Sequence, residues 1–99
     1  MTLELPEELT IARAAELKAQ LLSAMEGGEA LELSARAVSE VDVAGLQLLC
    51  AVRRTALARR STVAFSAGSR SAALVLAVAA AGFGSGDDDR WLVEESGDA

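Results

Sequence analysis

The chain has 99 residues, 52% apolar and 24% charged, with a formal net charge of −6; this is the composition of one folded domain with a two-layer core, not of a disordered chain. The acidic balance argues against nucleic acid and against anionic lipid, because phosphate surfaces require clustered Lys or Arg. With no His and a single Cys, Cys50, the usual Cys/His metal sites, a Ser-His-Asp triad and an internal disulfide are excluded.

Thr2-Leu3-Glu4-Leu5 alternates polar and apolar and reads as a short strand that Pro6 stops. Residues 7–10 lead into a helix over about 12–25, in which Ala14, Leu17, Leu21 and Met25 form one apolar stripe. Gly27-Gly28 ends that helix, glycine being the usual residue of a left-handed cap. Ala30-Leu31-Glu32-Leu33-Ser34 is the next strand, with Leu31 and Leu33 on one face. Residues 35–41 read as a loop in which Val38 and Val41 are buried.

A second helix is expected over residues 43–58, with Leu46, Leu49, Cys50, Arg53 and Leu57 following the helical period. Cys50, among Leu48, Leu49 and Val52, reads as a buried thiol rather than a nucleophile. The basic cluster Arg53, Arg54, Arg59 and Arg60 reads as a solvated helix face. A strand over 61–66 places Val63 and Phe65 on one face. Ser69 or Ser71 then caps a third helix over 72–81, stopped by Gly82. That helix carries no charge, and Val75 and Leu76 cannot both point inward with Leu74 and Val78. Either the tail folds back, with Trp91 and Leu92 as its cover, or Val75 and Leu76 form a contact with a partner or a second copy; the contact is the favoured reading.

Residues 84–89, Gly-Ser-Gly-Asp-Asp-Asp, read as an acidic linker without the spacing of a calcium loop. Residues 90–94 read as a returning edge strand, and 96–99 as a frayed end. The chain shows no signal-peptide pattern at its start. Its longest apolar run, residues 72–83, is short of the roughly 20 residues that cross a bilayer, so a cytoplasmic protein is expected. Alternating strands and helices imply βαβ units in an α/β layer fold. Nucleotide-binding glycine fingerprints are absent.

The most informative stretch is Val41-Asp42-Val43-Ala44-Gly45-Leu46-Gln47, where an apolar run ends at an aspartate and a helix begins. Asp42 is the expected N-cap, its carboxylate accepting from N–H groups that the first turn leaves without partners. With Gly82-Phe83 and the order of elements, this stretch resembles the STAS domain of sulfate transporters and anti-sigma factor antagonists, over about residues 3–83. The resemblance implies one domain over 1–99, its core at about 3–83 and a linker and tail at 84–99. It implies a mixed sheet of four to five strands with helices mainly on one face, and no enzymatic activity or cofactor.

In bacterial antagonists of this kind, a partner kinase, itself an anti-sigma factor, phosphorylates a Ser or Thr in the turn after the Asp. The phosphoacceptor position corresponds to Ala44, and the position before it to Val43, so both hydroxyls are missing. The resemblance therefore implies a partner-binding surface at Asp42, Val43, Ala44, Gly45 and Gln47 that this kind of phosphorylation cannot switch off. Ser39 is the nearest hydroxyl upstream and a weaker regulatory candidate. The partner implied is a protein: an anti-sigma factor or serine kinase, a chemotaxis-type kinase, or the ATPase subunit of a lipid-transport ABC system. A homodimer is a further expectation, with Val75 and Leu76 as a second interface.

Overall fold

The computed structural model describes residues 2–27, 30–84, 86 and 90–93. Gly28, the three aspartates 87–89, Glu94 and the end at 96–99 lie outside the described residues.

Two chain segments pair twice. Strand β1 (Thr2–Glu4) lies parallel to β3 (Leu31–Ser34), with Leu3 opposite Leu33. Leu5 N–H donates to the Ser34 carbonyl at 2.8 Å and carries the ladder one residue further. Pro6, which has no N–H, and the turn closed by Val38 N–H on the Ala35 carbonyl then interrupt it. Pairing resumes as β2 (Glu8–Leu9) against β4 (Glu40–Val41), again parallel. Strand β5 (Val63–Phe65) adds to the far side of β3, giving the order β1-β3-β5. The α/β class and the STAS-like plan are as expected. The sheet differs from the expected single mixed one: among the described residues, five strands are divided three and two, and every pairing is parallel.

Helix α1 (Ala14–Met25) follows a 3-10 turn at Ile11–Arg13 and buries Leu17, Leu21 and Met25. Helix α2 (Val43–Ala58) buries Leu46, Leu49, Cys50, Val52 and Ala56. Each is the crossover of a βαβ unit, α1 between β1 and β3 and α2 between β3 and β5, and the two helices pack against each other. Leu57, expected in the buried stripe, is 55% exposed: Ala56 and Val52 take the inward positions as the helix ends.

Helix α3 (Ala72–Ala80) is capped by Ser71, whose Oγ accepts from Leu74 N–H at 3.2 Å. It ends in a Schellman motif. Phe83 N–H reaches the Val78 carbonyl at 3.0 Å, Gly82 N–H reaches Ala79, and Gly82 has φ +75°. Helix α2 ends in the same motif, with Ser61 N–H on the Ala56 carbonyl and Arg60 N–H on Leu57. There the left-handed residue is Arg60 at φ +59°, where a side chain is strained.

The tail does not return as an edge strand over its described part. Arg90–Leu92 form a 3-10 turn, and Trp91 and Leu92 are 3% and 1% exposed within the same core as the three helices.

Candidate functional site

The tip of α2 is assembled from three segments distant in sequence. Val41 ends β4 and hands the chain to Asp42, whose extended backbone (φ −122°) turns it into the helix. One carboxylate oxygen, Oδ1, accepts from Gly45 N–H at 2.9 Å, which is the expected N-cap bond. The other, Oδ2, accepts from Ile11 N–H at 3.0 Å, across 31 residues. Asp42 N–H in turn donates to the Leu9 carbonyl at 3.2 Å. One side chain thus fastens the turn after β2 to the start of α2.

These bonds also set the charge of the site. The Ile11 N–H, then the Gly45 N–H, stabilise the carboxylate and hold its pKa below the ordinary aspartate value. Asp42 is therefore ionised at neutral pH with both oxygens engaged, which suits an anchor better than a general base.

Gly45 is required by space. A Cβ there would run into the Leu9 carbonyl oxygen, with the Leu9 carbonyl carbon at 2.7 Å and Cγ at 2.9 Å. The helix tip thus lies directly on the β2 backbone, and only glycine permits that approach.

The outer side of the tip is apolar. Val43 is 49% exposed, Ala44 is half-buried, and Gln47, one turn on from Val43, is exposed. Beside them stands Ile11, 71% exposed, held there by its own N–H on Asp42. An open groove of about 240 Å³ continues the surface, with Val41, Val43 and Leu46 on one wall and Ala77, Ala80 and Ala81 of α3 on the other. The structure therefore brings Asp42, Val43, Ala44, Gly45 and Gln47 together on one tip, where Gly45 is a buried spacer and the others reach the surface.

Val75 and Leu76 lie on α3, 51% and 69% exposed. The tail docks, as one reading of α3 expected, and leaves both of these side chains exposed. Ser39 is exposed, and its N–H and hydroxyl both donate to the Glu7 carbonyl. Ile11 was not legible as a site residue, because its position depends on a bond to a residue 31 places away. Arg53, expected on a solvated face, instead sets its guanidinium 5.6 Å from the centre of the Trp91 ring. No helix among the described residues is long and apolar enough to cross a membrane.

No curated protein and no solved structure matches the chain. A family model does, the one described as "Mlab, STAS domain", over residues 1–92. With that match covering almost the whole chain, and with a strand-Asp-glycine-helix tip standing where the resemblance placed it, the chain belongs to the STAS domain family.

Proposed function

We propose that this chain is a non-catalytic regulatory module of the anti-sigma factor antagonist type, and that it binds its protein partner through the tip of α2. STAS domains in general are binding modules that mediate protein–protein contacts, which supports the class of function. The observation that carries the reading for this chain is the pair Ile11 and Val43. Two large apolar side chains from separate elements stand exposed near Asp42, whose carboxylate accepts from the backbone N–H groups of Ile11 and Gly45. Exposed apolar side chains gathered at one place on a folded domain often mark a contact surface.

The switch is the departure from the antagonist pattern. A phosphate beside the tip would add a charge near −2 and oppose burial of the surface against a partner. Val43 and Ala44 have no oxygen to modify, so the tip remains competent to bind whatever the state of such a kinase. Control then acts on the amount of protein or on the partner.

Photo-cross-linking tests the location of the surface. A benzophenone side chain at Val43 or Ile11 should yield one common adduct in cell extract, and the same group at exposed Gln20 of α1 should not. An adduct from Gln20 alone would move the interface to the other helix. In parallel, mass spectrometry after incubation with an antagonist-type kinase should find no phosphate on residues 42–47.

A further inference from the structure

The tail is held by a slot. Phe65 at the end of β5 stacks on Trp91, with ring centres 5.1 Å apart and planes 13° from parallel. A guanidinium accompanies each ring: Arg53 of α2 lies 5.6 Å from the Trp91 centre, and Arg70 lies 5.9 Å from the Phe65 centre. Arg70 also donates to the Leu92 carbonyl at 3.3 Å. Val93 rests against Gly84 and, with Leu92, borders a cleft of about 110 Å³ shared with Val75 and Val78. The segment is thus recognised as a bound peptide would be, by one aromatic anchor, one aliphatic neighbour and one carbonyl.

Its attachment differs from that of the other elements. Arg90–Leu92 joins neither sheet. The Trp91 indole N–H is buried with no hydrogen-bond partner among the described residues, which makes the docking incomplete. Apolar burial, ring stacking, cation–π contacts and the Arg70 bond hold the segment, and each forms equally well whichever chain supplies it.

We propose that Phe65, flanked by Arg53 and Arg70, is a docking slot for a Trp-Leu segment, filled from within the chain here and open to the same segment of a second copy. A short tether presents its segment at an effective concentration of about the millimolar range, so a segment that docks in cis binds in trans with a Kd below roughly 1 mM.

The chain makes the test simple, because Trp91 is its only tryptophan and it has no tyrosine. Full-length Trp91→Ala is then free of indole. A synthetic peptide of residues 84–93, Gly-Ser-Gly-Asp-Asp-Asp-Arg-Trp-Leu-Val, supplies the only emission. Titrated with Trp91→Ala, the peptide should show a saturable blue shift at least half complete at about 1 mM, and excess peptide should raise the Tm of the variant. Adding Arg53→Gln should weaken binding by about two- to fivefold, the effect of one partly exposed cation–π contact. An unshifted peptide spectrum, or a shift indifferent to Arg53, overturns the proposal. So does a Trp91→Ala chain that excess peptide cannot restore to a folded state, for the segment is then core and not a ligand.

Discussion

Asp42 and Gly45 show how much chemistry two residues at a helix start can fix. The cap was legible, from an aspartate at the end of an apolar run. The Ile11 bond was not, since nothing local marks a residue 31 positions away as the second donor. Gly45→Ala should cost about 2–3 kcal/mol in denaturant unfolding, because the Leu9 backbone must move. Asp42 makes stability depend on acid. Its pKa is lower in the folded chain than in the unfolded one, so the contribution is complete above the ordinary aspartate range and is lost as pH falls through the folded value. Asp42→Asn should therefore melt lower than the wild type at pH 7, with the gap closing as pH falls below the ordinary aspartate range. A gap of constant size across that range would show that the charge of Asp42 is not what holds Ile11 and Gly45.

Among the elements, the helices and strands β1, β3 and β5 were legible and the two-residue strands were not. Helix α2 begins and ends where the sequence places it, between the Asp42 cap and Arg59. Strands β2 and β4 have two residues each, too few for an alternation to be visible, and they exist because Pro6 breaks a longer pairing that then resumes. Residues 90–92 were misjudged as strand because an apolar run of that length has no period to separate strand from turn. The twin helix ends offer a direct comparison. Gly82 occupies the left-handed position of α3 without strain, whereas Arg60 occupies it in α2 with a side chain. Arg60→Gly should stabilise the chain by about 0.5–1 kcal/mol in denaturant unfolding, and no change would mean that Arg60 relaxes elsewhere. On α3, we read Leu76 as part of a second contact surface. Leu76→Lys should leave the Tm nearly unchanged, since the side chain is already 69% exposed, while shifting elution volume or partner affinity. A lowered Tm with neither shift would instead mark Leu76 as covered by the chain itself.

At the scale of the molecule, the core reaches into the tail. The apolar cluster runs from Leu5 to Leu92, and the Phe65–Trp91 stack joins the last described turn to the last strand. The sequence pattern left the tail open because a Gly-Ser-Gly-Asp-Asp-Asp stretch resembles a linker whatever follows it. The family, in contrast, was legible from one short motif in the right order of elements, and the match over residues 1–92 extends it past the third helix into the tail. What the fold presents outward is a tip where Ile11, Val43, Ala44 and Gln47 meet around a fully engaged carboxylate.

We take this tip as the partner surface, its missing hydroxyls leaving it able to bind at all times. Titration calorimetry of the partner cross-linked through Val43, with wild type and Ala44→Glu side by side, tests it most directly. A carboxylate in the first turn of a helix is tolerated in the free protein, so the two chains should melt within a few degrees of each other. The same charge buried against the partner should weaken binding by about 2–3 kcal/mol, thirtyfold or more. Equal affinities with equal melting temperatures would place the interface elsewhere and contradict the account.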